Sequence, residues 1–211
     1  MEAKMGYKSA MKTAIDLISI SVRTAPKSGG VDDVVFLAVS DRQKNRIARE
    51  MIRIGKDRAK GANKAIRKSI ETSWSTDARA VKKSQGLILI AVRGKKPLGS
   101  NCGGCGFKSC AEFQAHNAKN KNNKILGPFC IFKIWDLGIA ICSAAKTASA
   151  LNVDNRIMYR IGTAVERLSI FKKVSPALGL PLSASGKNIY FDRFEKLEAA
   201  KVLTDYFKHR R

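Results

Sequence analysis

A chain of 211 residues that is 45% hydrophobic can bury one sizeable core, or at most two small ones. Forty Lys and Arg against seventeen Asp and Glu give a formal net charge of +23, a self-repelling balance that points to an acidic partner and away from the acidic surfaces of halophiles. The longest apolar run, residues 134–151, is interrupted by Asp136 and Lys146, too polar for a membrane span. The opening MEAKMGYKSAMKTA lacks the signal-peptide pattern, so a cytoplasmic protein is expected.

In chain order, Met11, Ile15, Ile18 and Val22 recur at helical spacing and predict an amphipathic helix from Met5 to Val22, ended by TAPKSGG. Residues 34–39, VVFLAV, predict a buried strand. Ser40 or Asp41 then caps a helical stretch to about Ile70, in which Gly55 and Gly61 are possible breaks. Residues 77–84 predict a short helix, and 86–92, GLILIAV, a β-branched strand. A glycine-rich loop follows over 94–106, then a helix over 107–118 and the polar loop NAKNKNNK. Long helices are expected over 131–151 and, capped by Asn152 or Asp154, over 154–168. LGLPLSASGKNIYF predicts loop and strand, and residues 195–209 a charged closing helix. The fold class is therefore α/β (or α+β) in one domain, 1–211, with a cysteine-rich insertion over 94–130.

The charge pattern is most regular over residues 42–67. Arg42, Arg46, Arg49, Arg53, Lys56, Lys60, Lys64 and Arg67 are spaced by three, four or seven. On one unbroken helix they fall within an arc of roughly 80° and form a stripe roughly 38 Å long. Ile47, Met51, Ile54, Ala62 and Ala65 centre on the opposite side. Such a stripe is either a solvated face or a surface for phosphates or acidic proteins. Without interleaved aromatics, nucleic-acid binding there would be directed to the backbone and sensitive to salt.

Cys102, Cys105 and Cys110 lie in NCGGCGFKSC, and Cys130 follows in GPFC. Clustered cysteines in a reducing compartment indicate metal ligation rather than disulfides. Four thiolates suit zinc or an iron–sulfur cluster. Zinc sites usually show two C-x2-C knuckles; a single C-x2-C-x4-C followed by a distant cysteine favours a cluster. Gly103, Gly104 and Gly106 would let the backbone approach and donate N–H groups to bridging sulfides of a cluster. Cys142, in an apolar helical stretch, is expected to be a buried free thiol, with a spare ligand as the alternative; His116 is expected at the surface. No Ser/His/Asp arrangement, phosphate loop or G-x-G-x-x-G occurs, which argues against hydrolytic chemistry and leaves oxidoreductase activity open.

The runs RTAPKSGGVDD, PLGSNCGGCGFKSC, GPFCIFKIWDLGIAICSAAKTASALNVDNRIMYRIG and GLPLSASGKNIYFDR together resemble a bacterial and archaeal family of ferredoxin-domain-containing proteins. The C-x2-C-x4-C run is also similar to the small 4Fe–4S domains of corrinoid iron–sulfur proteins. By that resemblance Cys102, Cys105, Cys110 and Cys130 hold a 4Fe–4S cluster. A more distant likeness, in the order helix, RTAP turn, strand, long helix, strand and a helix beginning DLGIA, is to the nitroreductase fold. Nitroreductases are FMN-binding homodimers, which implies a dimer and FMN contacts at Arg23 and Lys27, although their arginine-rich FMN motif has no clear counterpart. The basic stripe departs from the acidic second helix expected of the ferredoxin-domain family. The resulting reading is an iron–sulfur protein for electron transfer or redox sensing that docks on an acidic partner, RNA, ribosome or acidic redox protein. The alternatives are an RNA- or ribosome-associated protein with a structural metal site and a flavin-dependent reductase.

Overall fold

The strand GLILIAV is buried along its whole length, and the other elements are arranged around it. The computed structural model describes residues 4–119 and 127–191. In it this strand, β2 (Gly86–Val92), pairs antiparallel with β1 (Val34–Ala38) on one side and β4 (Ala177–Ser183) on the other. Val34 stands opposite Val92, and Gly86 opposite Leu182. A two-residue strand, β3 (Asp154–Asn155), flanks β4 and completes the sheet order β1-β2-β4-β3.

The side chains of β2 alternate between two cores, as pleating requires. Leu87, Leu89 and Ala91 pack with Ile47 and Met51 of α2 (Asp41–Arg58), Trp74 and Val81 of α3 (Lys64–Lys83), and Ile161 and Val165 of α6 (Tyr159–Arg167). Ile88, Ile90 and Val92 pack with Ile18 and Val22 of α1 (Lys4–Thr24) and Leu137 and Ile141 of α5 (Ile131–Ala150). The result is a helix–sheet–helix sandwich, which explains why β2 reads as a continuous apolar run rather than an alternating one. α6 lies so close to β4 that a Cβ on Gly162 would stand 1.7 Å from the Ala177 carbonyl oxygen. Among the described residues no helix is long and apolar enough to cross a membrane.

Several expectations are corrected. The helix over 42–67 is not continuous: α2 ends at Arg58, the chain turns through Gly61 at φ 78°, and Asn63 caps α3 by accepting from the Ile66 N–H at 3.0 Å. The short helix expected over 77–84 is the last part of α3. β1 is buried only at Val34 and becomes exposed toward Ala38. The helix expected from Asp154 starts at Tyr159, because Met158 pairs with Gly179 through both backbone groups, at 2.9 and 3.2 Å. The helix expected from Phe107, α4, runs Cys110–Lys119. Ser40 does cap α2, in a reciprocal capping box with Gln43. The expected helix over 195–209 and most of the NAKNKNNK loop lie outside the described residues.

One buried charge cluster fixes where the cysteine segment joins this framework. Asp33 and Lys133 are buried, as is Asp136. The Lys133 ammonium stands 3.0 Å from Asp33 Oδ2 and 3.7 Å from Asp136 Oδ2. Asp33 Oδ1 faces Lys96 at 3.1 Å and Arg93 Nε at 3.9 Å. Asp136 Oδ1 accepts from both the backbone N–H and the hydroxyl of Ser28, each at 2.7 Å. Arg93 and Lys96 precede the cysteine loop and Lys133 follows Cys130, so Asp33 holds the two ends of that segment together. The Cys130 N–H also donates to the Gly94 carbonyl at 2.8 Å. Burial pushes the Asp33 carboxyl up, but hydrogen bonds and charge from Lys133 and Lys96 outweigh it and hold the group below the ordinary carboxylate range.

Two predictions follow from packing and charge. Gly162→Ala should cost about 3 kcal/mol by forcing α6 off β4, whereas Gly138→Ala, in mid-α5 with nothing within 4 Å of the added Cβ, should add about 0.5–1 kcal/mol; urea unfolding of both variants checks the contrast. Lys133→Met leaves two buried carboxylates without their shared cation and should cost about 3–5 kcal/mol at neutral pH. Because the native Asp33 group is depressed, its stabilisation is present above its unfolded value of about 3.9 and is lost as pH falls through the native value. Denaturation at a series of acidic pH values should show that this acid-side loss is smaller in Lys133→Met than in the parent.

Candidate metal centre

The cysteine segment folds as three short pieces, each with its own physical reason. Gly103 at φ 71° and Gly106 at φ 87° occupy the left-handed region that other residues avoid. The Gly106 N–H closes a turn on the Gly103 carbonyl at 2.9 Å, with Cys105 inside it. Gly104 is required for closeness instead: a Cβ there would stand 2.7 Å from Ile131 Cγ2 and 3.6 Å from Cys102 Sγ. The loop is thus pressed against the first residue of α5, beside Cys130.

The second piece is α4, whose first residue is Cys110. The Ser109 hydroxyl accepts from the Glu112 N–H at 3.2 Å, and the Asn101 side chain accepts from the Cys110 N–H at 2.8 Å. Asn101, next to Cys102, therefore ties the start of α4 to the start of the loop. Phe107 stacks edge-on against the buried Phe113 at 5.8 Å and lies 5.2 Å from the His116 ring. The third piece is residues 127–130, where buried Cys130 is the N-cap residue of α5, with no side-chain cap bond of its own. Two of the four cysteines thus stand at helix N-termini, where the backbone dipoles favour negative charge.

Cys102 is exposed, Cys105 and Cys110 are half-buried and Cys130 is buried. The Gly104 N–H, followed by Ser100, hydrogen-bonds the Cys102 sulfur and holds that thiol below its ordinary value. Among the described residues no three His, Cys, Asp or Glu side chains converge closely enough to hold a metal ion. The donor chemistry and the close approach of Gly104 to Ile131 fit a four-thiolate centre, and ligation by all four requires the thiols to stand closer together than they do here.

The remaining expected site residues lie elsewhere. Arg42, Arg46, Arg49, Arg53, Lys56, Lys60, Lys64 and Arg67 are all exposed, but the turn at Gly61 divides them between α2, the turn and α3. Arg23 pairs with Asp32 and lies 4.9 Å from the centre of the Phe36 ring. The Lys27 ammonium donates to the Val22 and Arg23 carbonyls at the end of α1. Both proposed FMN contacts are therefore engaged within the fold. Cys142, expected to be buried, is exposed, on the same outward row of α5 as Trp135 and Ile139. His116 is exposed, as expected. Asp33, Lys96, Lys133 and Asp136 escaped the sequence reading. The available signal was the pair Lys133 and Asp136, one helical turn apart in an otherwise apolar run.

A family described as "Uncharacterized protein containing a ferredoxin domain" matches residues 126–193. That span contains Cys130 and lies beyond the other three loop cysteines. A protein of Archaeoglobus fulgidus is 40% identical over 186 residues, covering 88% of this chain and 93% of its own length; its description is "Uncharacterized protein". Among solved structures, a nitroreductase with bound FMN from Desulfitobacterium hafniense superposes with a TM-score of 0.50 at 13% identity, over 83% of this chain and 78% of that one. Nitroreductase A from Vibrio parahaemolyticus gives 0.49 at 11% identity, over 95% and 77%. At such identities the first of these likenesses shows the fold alone, a nitroreductase-like helix–sheet–helix arrangement. With the family match falling on the Cys130 side of the centre and the archaeal relative spanning nearly all of both chains, the chain belongs to the family of proteins containing a ferredoxin domain.

Proposed function

We propose that Cys102, Cys105, Cys110 and Cys130 hold a 4Fe–4S cluster and that the chain acts as an iron–sulfur redox protein, in electron transfer or redox sensing. The observation that carries this reading is the packing of Gly104 on Ile131, which sets the C-x2-C turn against the helix end that Cys130 caps. When bound, such a cluster supplies one-electron chemistry at a potential set by its hydrogen bonds, charge and exposure. The chain supplies the four thiols, the Gly104 N–H directed at sulfur, and two helix N-termini that offset negative charge. Asp33 keeps the two ends of the ligand segment in register through Lys96 and Lys133. The exposed loop folds onto the buried Cys130 as the ligands engage, so ligation and local ordering are coupled. The ferredoxin domain of the family supports this reading. With Arg23 and Lys27 engaged within the fold, nothing at those positions favours a flavin.

Protein purified without air should contain about four irons and four sulfides per chain, the content of a four-cysteine 4Fe–4S site, and should bleach on reduction with dithionite. Cys105→Ser should lose most of that iron while keeping the far-ultraviolet dichroism of the parent. Zinc in place of iron, or undiminished iron in Cys105→Ser, would overturn the assignment.

A further inference from the structure

The metal centre makes no use of α2's outward face. Arg42, Arg46, Arg49, Arg53 and Lys56 are all exposed there at alternating intervals of four and three. At about 100° and 1.5 Å per residue they form one straight row, within an arc of about 80° and roughly 21 Å long. The break at Gly61 shortens the expected stripe without destroying it. The start of α2 meets the end of α3, since Lys44 donates to the Ser84 carbonyl at 2.5 Å. The two helices are therefore antiparallel, and exposed Lys60, Lys64 and Arg67 cluster at their turn instead of extending the row.

Of the five acids on the two helices, four stand in ion pairs and among these only Glu50 meets a member of the row, while half-buried Glu71 lies on α3. Glu50 is buried and meets Arg167 at 3.0 Å and Arg53 at 3.3 Å. Asp57 meets Arg167 at 2.7 Å and Lys60 at 2.8 Å. Asp77 is buried against Arg160, and Asp41 pairs with Lys44. Among the described residues Arg53 is the only member of the row in an ion pair; Arg42, Arg46, Arg49 and Lys56 have none.

Chemistry selects the partner. A protein interface needs an apolar or aromatic centre, and among the described residues Ile52 is the only exposed large apolar side chain on either helix. Trp74 of α3 is buried, with Arg58 and Arg160 over its ring at 5.1 and 5.0 Å, so neither α2 nor α3 offers an aromatic to a base; the exposed Tyr159 lies on α6. Guanidinium forks match phosphate oxygens in pairs, and a straight cationic row matches a linear polyanion. We propose that this face of α2 binds the phosphate backbone of duplex or folded nucleic acid, without base readout and independently of the metal centre.

Fluorescence anisotropy of the full chain with a mixed-sequence RNA duplex of about 20 base pairs tests this. About five phosphate contacts should make affinity fall about 500-fold between about 50 and 200 mM salt. Arg42→Glu/Arg46→Glu/Arg49→Glu should weaken binding at least about tenfold at low salt and flatten the logarithmic salt slope by about 2.7. The exposed triple Lys12→Glu/Lys146→Glu/Lys172→Glu, of equal charge change, should leave the slope near that of the parent. Equal losses in the two triples would assign binding to diffuse net charge and overturn the proposal. Competition by polyglutamate as effective as that by unlabelled RNA would overturn it in favour of acidic proteins. Should the first triple lose its helical dichroism, Arg46→Gln/Arg49→Gln gives the same reading, with an expected flattening of about 1.8.

Discussion

The geometry of the cysteine segment depends on one buried carboxylate. Asp33 stands between β2's exit, through Arg93 and Lys96, and the first turn of α5, through Lys133. These attachments are the two ends of a long excursion that would otherwise be free to separate. A buried carboxylate alone would be costly. Here the matching cations are drawn from the ends it must join, so the electrostatic requirement and the topological one are met by the same contacts. Asp136 extends the cluster to Ser28 and anchors α5 against the turn after α1. The ion pairs are not a source of large net stability, since replacing a buried ion pair by apolar groups is often neutral. Their value lies in register: they fix Cys130 relative to the start of the cysteine loop.

The sheet supplies the rigid body against which that register is defined. β2 is covered on both faces, and its two sets of side chains belong to two separate cores. The cysteine segment hangs from the α1/α5 side, through α5. The α2/α3 pair lies on the opposite side, with the sheet between them. Gly162 and Gly179 let α6 approach the β4 backbone, and Arg160 crosses to the Ser73 carbonyl and Asp77, joining α6 to α3. The second layer is thereby stitched by polar contacts that leave the outward row of α2 untouched.

Much of this was legible in the sequence, and the misreadings have physical causes. The strand at 86–92, the Ser40 cap and the helix at 131–150 were legible because burial, capping and length all agree there. The α2–α3 break was masked by charge: the basic residues keep helical spacing through the turn, whereas Gly61 and the capping Asn63 were its true signals. Ala62 and Ala65, assigned to the apolar face of one long helix, are half-buried and exposed. α3 was hard to recognise because its inner face carries Ser69, Ser73, Thr76 and Asp77, a polar set invisible to hydropathy, of which Ser73 and Asp77 meet Arg160. Cys142 was misplaced because α5 is apolar on its outer row as well, so composition could not fix its phase. The cysteine pattern was visible from spacing alone, but the carboxylate that joins the two ends of its segment was not, because its partners are far apart in sequence.

The charge balance gains a spatial meaning. The buried charged residues are four acids, Asp33, Glu50, Asp77 and Asp136, and two bases, Lys44 and Lys133. The described interior thus holds more acid than base, and the exterior is more positive than an even distribution of the +23 would make it. Negative charge is concentrated where it holds elements together, and positive charge faces water. Near the cysteine loop, exposed Arg93 and Lys96 belong both to the Asp33 cluster and to that outer field. A loop that gathers thiolates concentrates negative charge, and its repulsion is lowered by those cations and by the helix ends at Cys110 and Cys130. The same excess that costs the fold self-repulsion would therefore ease assembly of the proposed anionic centre, while the α2 row lies on the far side of the sheet, where the proposed polyanion would bind.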